Sequence, residues 1–277
     1  MTKTDLDLVS AWFDSYAAAY SSHVCDEDIR NYRLKAVHTH KVRETAASIA
    51  IAEECSSEDV LCAEMIGLLH DVGRFPQYYR YKTFKDSESL NHAAEGVKVI
   101  RESGVISGLP EDKQRLIVKC VALHNVFRIP EALNPQESFH LRLIRDADKL
   151  DIWRVFLEYY HLPNEKRASA AGLNFKDSSD CSAHPVDTIL RGEMINLADV
   201  ESINDFKLLQ LSWVFDLNFA ASLRLFRGHD YLDKYAAILP KDKSVTEALS
   251  SIDRYLNQCV NNHQLNLQRG LCGYGSS

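Results

Sequence analysis

Residues 34–49 read LKAVHTHKVRETAASI, and the spacing of their apolar positions decides the fold class. Leu34, Val37, Val42, Ala46 and Ile49 recur at helical intervals, so the segment forms one apolar stripe on a long helix rather than the two-residue alternation of a strand. His38 lies on that stripe, four residues before Val42. His40 falls about 200° further round at about 100° per residue, which makes it the solvent-side member of the pair. A polar ring is thereby directed into an apolar interior, where it needs a partner.

The same periodicity extends outward in both directions, and no alternating run bounded by hairpin turns interrupts it. The chain is therefore expected to be all-α. Thr4 is a candidate cap for a first helix to about Ser22, and a long helix follows from about Asp26 to Cys55. Ser56 with Asp59 makes a capping-box signature for a third, ending near His70 before Gly73 and Pro76. A polar, aromatic-rich loop is expected over 77–89, then helices over 91–103, 111–126 and 136–161, with Pro110 and Pro135 as first-turn residues. The Ser-, Asp-, Asn- and Gly-rich stretch 163–202 reads as an irregular insertion with at most one short helix. Helical periodicity resumes over 205–227 and 245–261, and 270–277 reads as a frayed tail. The expected organisation is a single all-helical domain: a core over about 26–161, the insertion, and C-terminal helices over about 203–265.

A chain of 277 residues with 45% hydrophobic content has enough apolar side chains for a large core. Lys and Arg total 32 against 39 Asp and Glu, a formal charge of −7 with no basic block, which argues against duplex nucleic acid as a partner. The first residues form neither a signal-peptide apolar stretch nor a membrane span, so a cytoplasmic protein without a membrane partner is expected. Seven cysteines stand singly, without thiolate-site spacing, and read as reduced thiols.

Other polar groups share the fate of His38. His92 heads a stripe through Gly96 and Val99 or Ile100, and His124 continues Ile117, Cys120 and Val121. Asp148 interrupts the apolar series Leu141, Ile144, Ile152 and Val155, whereas Asp146 falls off it. A buried, unpaired carboxylate costs several kcal/mol, so Asp148 requires a cation or a donor. His70 and Asp71 close the apolar segment Ala63, Ile66, Gly67, Leu69. One inward histidine is more often a hydrogen-bonded core residue than a ligand. Four histidines and two aspartates directed inward are harder to satisfy without a cation.

The segments Lys35-Ala36-Val37-His38-Thr39-His40-Lys41-Val42, Leu68-Leu69-His70-Asp71-Val72-Gly73-Arg74 and Asp146-Ala147-Asp148-Lys149-Leu150-Asp151 together resemble the His, His-Asp, Asp pattern of the HD superfamily of metal-dependent phosphohydrolases. The resemblance covers about residues 30–155 and implies an HD-domain helical bundle with additional C-terminal helices. It assigns His38, His70, Asp71 and Asp148 to a metal, and His92 and His124 to a second metal or to phosphate contact. Asn125 stands where the cyclic-dinucleotide phosphodiesterases have a further histidine. One tightly held ion, with a second depending on supply, is therefore expected.

Imidazoles with carboxylates suit Mn²⁺, Fe²⁺, Co²⁺, Ni²⁺ or Zn²⁺ better than Mg²⁺ or Ca²⁺. Such an ion lowers the pKa of bound water from about 15.7 towards 7. Asp71 is expected to orient that water as hydroxide, with Arg74 and Lys149 as candidate catalytic cations for the phosphoryl oxygens. Arg74, Arg80 and Lys82 are expected to bind a small phosphorylated substrate, with the segments 77–89 and 163–202 bordering the pocket. Two other readings fit the same donors: a di-iron HD oxygenase acting on a polyol or phosphonate, and a catalytically inactive nucleotide-binding module.

Overall fold

The computed structural model describes residues 1–172 and 175–268. The chain divides into two compact units, Met1–Leu173 and Asn174–Ser277. Among the described residues the regular structure is helical, with one isolated bridge between Lys176 and Ser202. The tail 270–277 and Cys272 lie outside the described residues; the other six cysteines are free thiols.

The first unit holds α1 (Lys3–Ser21), α2 (Asp26–Ala52), α3 (Ser57–Leu69), α4 (Arg74–Tyr81), α5 (His92–Ser103), α6 (Glu111–Leu123) and α7 (Pro135–His161). Its centre is α2 packed against α3 and α7. To the buried core α2 contributes Tyr32, Val42, Ala46 and Ile49, α3 Met65, Ile66 and Leu69, and α7 Ile144, Ala147 and Trp153. Each large apolar side chain so enclosed contributes roughly 1.5–3 kcal/mol. A Cβ on Gly67 would lie 2.7 Å from the Cα of Arg43, so only glycine lets α3 come this close to the α2 backbone.

Local capping largely sets the helix starts. Ser56 accepts from the Asp59 amide, Asn91 from Ala94, and Asn134 with Glu137 forms a full capping box ahead of Pro135. At the amino terminus the cap is Thr2, not Thr4, because Thr2 and Asp5 make the reciprocal pair. The segment expected as a loop from residue 77 begins instead with α4. Pro76 falls in the first turn of that helix, where its missing N–H breaks no intrahelical bond, so it starts a helix rather than ending one.

Two burial patterns also differ from the helical-wheel reading. Val37 is 41% exposed, while Asn31, Tyr32, His38, Thr39, Val42, Ala46 and Ile49 form the buried face of α2. Asp146 is fully buried although it lies off the expected stripe, because α7 is covered around most of its circumference.

The second unit contains α8 (Ala183–Leu190), α9 (Ile203–Ser212), α10 (Ala220–Gly228), α11 (Tyr231–Ile238) and α12 (Lys243–Gln268). The run 205–227 is broken by a 3₁₀ turn at Trp213–Asp216 and extended backbone at Leu217, so it yields two helices where periodicity alone gave one. Inside this unit Asp205 ties the start of α9 to Ser182, and the Tyr235 hydroxyl donates to Gln210.

Candidate metal centre

The end of α3 presents adjacent side chains to one place. His70 retains helical dihedrals, and the chain then turns through Asp71, Val72 and Gly73, with the Arg74 amide donating to the Asp71 carbonyl at 2.9 Å. At Gly73 the backbone is pressed against α5: a Cβ there would lie 2.1 Å from the His92 carbonyl oxygen and 2.5 Å from the Gly96 nitrogen. The absent side chain thus brings His92 beside the His70-Asp71 pair.

Four imidazoles surround Asp71, and each has its Nδ1 engaged on the far side of the ring. His38 Nδ1 lies 2.7 Å from Asp151 Oδ2, His70 Nδ1 2.8 Å from the Gly67 carbonyl, His124 Nδ1 2.8 Å from the Val121 carbonyl, and His92 Nδ1 2.7 Å from Asp86 Oδ2. All four partners only accept, so each Nδ1 carries a proton, and each ring when neutral turns an Nε2 lone pair towards Asp71. The Nε2 atoms of His38, His92, His70 and His124 lie 3.6, 3.4, 3.8 and 3.8 Å from Asp71 carboxylate oxygens. Asp148, one-fifth exposed, completes the group, with Oδ1 3.1 Å from His38 Nε2 and 3.7 Å from His70 Nε2.

These residues fit a divalent cation. The Nε2 atoms of His38 and His70 are buried without an aligned hydrogen-bond partner, and those of His92 and His124 face each other at 3.0 Å. Two lone pairs at that distance repel unless a cation or a proton lies between them. Ligand atoms within 4.8 Å of one another form two groups, His38-His70-Asp71 and Asp71-His92-His124, which share Asp71. The outward hydrogen bonds fix tautomer and ring orientation, as metal-ligating histidines require.

The charges are set by their neighbours. Against the effect of burial, Lys35, His70, Arg74 and His92 hold the Asp71 carboxyl well below its usual range, and His38 and His70 do the same for Asp148. Burial, with the charge of neighbouring His92 and His70, lowers His124 to about 3. Burial and Lys35 push His38 down, but Asp148 and Asp151 outweigh them and raise it to about 9. Without a metal, that ring is a buried cation held between two carboxylates.

Of the expected substrate contacts, Arg74 reaches the cluster, with Nε 3.4 Å from Asp71 Oδ1, while one guanidinium nitrogen binds Gln77, the Phe84 carbonyl and Asp86. Arg80 is turned instead to Glu95 and the Pro76 carbonyl, and Lys82 to Asp28 at 2.8 Å, so neither side chain is brought to the ligand group. Lys149 is half-buried on α7 next to Asp148. His40 points away and meets Asp14 at 2.9 Å. Residues 169 and 170 bind Asn31 of α2 through Ser169 Oγ and the Ala170 amide.

Four residues of the site escaped the sequence reading. Lys35 Nζ lies 2.8 Å from Asp71 Oδ2 and 5.2 Å from the centre of the Phe84 ring, and Asp151 orients His38. Their signal was helical phase, three residues before His38 and three after Asp148. Asp86 holds His92 from a segment without periodicity. Arg145 donates to the carbonyls of His124 and Val126, anchoring the chain beyond α6, and nothing in its spacing marks it.

The first unit is all-helical and carries two histidine–aspartate groups, sharing Asp71, that could hold metal ions. The family model for the HD domain matches residues 36–153, and the histidine–aspartate groups of this part of the chain fit the metal site of such a domain. No curated protein and no solved structure matches. HD domains bind divalent metals, and their superfamily consists generally of metal-dependent hydrolases, with some non-catalytic members. Among the described residues no helix is long and apolar enough to cross a membrane.

Proposed function

We propose that the protein is a metal-dependent phosphohydrolase that cleaves a phosphate ester of a nucleotide or a related small phosphorylated metabolite. The observation that carries this reading is the convergence of four imidazole Nε2 atoms on one ionised carboxylate, each ring locked from behind. His38, His70, Asp71 and Asp148 would hold one ion, and His92 and His124, sharing Asp71, a second. A divalent ion of the Mn, Fe, Co, Ni or Zn type supplies positive charge to phosphoryl oxygens and acidifies water.

The chain's own contribution is orientation and charge. Asp71, ionised and flanked by both groups, accepts a hydrogen bond from water and aims its oxygen. Lys35, 17% exposed, and Arg74 stand on either side of Asp71 with their positive charge beside the ligand atoms. A phosphate arriving there meets both, and charge developing on its oxygens is stabilised by groups already in place. Lys149 lies next to Asp148, where its charge serves the same purpose. The substrate is a small molecule; neither duplex nucleic acid nor a membrane is a partner in this reading.

The sharing of Asp71 between two groups also suits a di-iron oxygenase acting on a polyol or phosphonate. One experiment separates the readings. Protein reconstituted with each metal in turn is assayed against nucleoside mono-, di- and triphosphates, phosphodiesters, and, with iron, polyols and aminophosphonates under oxygen. Release of phosphate or pyrophosphate supports the hydrolase. Oxygen consumption without phosphate-ester cleavage supports the oxygenase, and specific binding without turnover across all metals points to a regulatory module.

A further inference from the structure

We propose that Asp86 is a positioning residue for the His92–His124 side of the centre, holding the Nε2 lone pair of His92 towards Asp71 and thereby linking the placement of the segment between α4 and α5 to metal affinity. The inference rests on the metal-centre reading above and adds to it a residue outside the ligand groups.

The Asp86 carboxylate is met by donors from three parts of the unit. His92 Nδ1, at the start of α5, lies 2.7 Å from Oδ2 and 2.9 Å from Oδ1. Arg74 and Gln77, both on α4, each donate to Oδ1 at 2.9 Å. Asn125, beyond α6, donates to Oδ2 at 3.2 Å. The carboxylate oxygens are thus surrounded by N–H groups, and every side chain that meets them donates. An amide at this position has one acceptor oxygen and turns an NH₂ towards donors.

The same side chains fasten the segment that bears Asp86. Gln77 is fully buried and also donates to Ser89 Oγ at 2.9 Å and to the Leu90 carbonyl at 3.1 Å, while Arg74 donates to the Phe84 carbonyl at 2.6 Å. Segment 84–90 is thus tied to α4 at several points, with its carboxylate placed behind His92.

The consequence for His92 is chemical. A neutral imidazole keeps its proton on either nitrogen, and the hydrogen bond at one decides the state of the other. With the proton on Nδ1, Nε2 presents a lone pair 3.4 Å from Asp71 Oδ1 and 3.0 Å from His124 Nε2. With the proton on Nε2, the ring donates to His124 and closes that side to a cation, while its Nδ1 lone pair is left facing the acceptor-only Asp86 carboxylate. Asp86 selects the first state.

The test uses the whole 277-residue chain and two readouts that need no turnover. Long-range ¹H–¹⁵N correlation spectra of the metal-free protein, with His92 assigned through His92→Gln, report the ring tautomer. Titration with Mn²⁺ or Zn²⁺ alone reports stoichiometry and affinity. The expected result is a proton on Nδ1 in the parent and a mixed or Nε2-protonated ring in Asp86→Ala. The weaker class of metal site should lose about 10–100-fold in affinity while the tighter one is unchanged. Asp86→Asn, nearly isosteric, should behave in the same way and carries the test should Asp86→Ala fail to fold. An unchanged tautomer, or a changed tautomer with an unaltered metal isotherm, overturns the proposal. A parent protein that binds a single ion ends the two-ion reading of the centre. The tautomer alone then decides the positioning role, which a shift in Asp86→Ala upholds and no shift refutes. Failure to hydrolyse any phosphate ester bears on the proposed function and on neither readout.

Discussion

Asp151 lies one helical turn beyond Asp148 on α7, and its Oδ2 is 2.7 Å from Nδ1 of His38, the ring whose Nε2 faces Asp148 and Asp71. The carboxylate therefore orients a candidate ligand without being one, and Arg154 in turn holds Asp151 with contacts of 2.6 and 2.8 Å. Asp151→Ala should lower affinity for the metal held by His38 and His70 by about 10–100-fold, with the helical content kept. Metal titration alongside far-UV circular dichroism measures both; an unchanged isotherm means that packing alone holds the His38 ring.

His70→Ala and Asp71→Ala each delete a donor from the buried group and should remove most bound metal and all hydrolysis. His40→Ala should retain the parent's metal content, because its ring lies against Asp14 on the outer side of α2. Elemental analysis after dialysis reads the difference, and metal loss in His40→Ala would mean that the other histidine of the pair is the ligand.

Gly73→Ala places a methyl group 2.1 Å from the His92 carbonyl, where only backbone can give way. Overpacking of this kind costs about 1–3 kcal/mol, and α5 must withdraw from the His70-Asp71 turn. Gly108→Ala is the control, since a Cβ there meets nothing within 4 Å. Chemical denaturation should show a clear loss for Gly73→Ala and little change for Gly108→Ala. Equal stabilities would contradict the close approach of α5.

His140 is a buried histidine outside the ligand groups, 3.3 Å from Asp59, and burial lowers its pKa from 6.5 although Asp59 opposes the shift. A ring that is harder to protonate when folded binds fewer protons in the native than in the unfolded state. Stability should therefore fall as pH drops below about 6.5, by at most about 1.4 kcal/mol per pH unit from this group. His92 and His124, also lowered, act in the same sense; His38, raised to about 9, contributes stability that is lost as pH rises through that value. His140→Gln should reduce the acid slope between pH 6.5 and 5 without abolishing it. An identical slope would show that His140 takes up its proton as readily in the folded protein as in the unfolded one.

The sequence by itself determined the helical class, most helix starts in the first unit, and the inward direction of His38, His92 and His124. These follow from 3.6-residue periodicity and capping side chains, which act within a few residues. The HD pattern was legible for a related reason: its residues recur in fixed order on helices with readable phase. Only the tertiary structure decided that Pro76 falls in the first turn of α4, why Val37 faces solvent and Asp146 does not, and that Arg80 and Lys82 turn to Glu95 and Asp28. Each of those outcomes depends on which neighbour covers a surface or offers a countercharge, and the neighbour is distant in sequence. Asp86 is the clearest case. It sits in a segment with no periodicity, and its place behind His92 exists because Gly73 lets α5 approach and because Gln77 and Arg74 tie the intervening chain to α4.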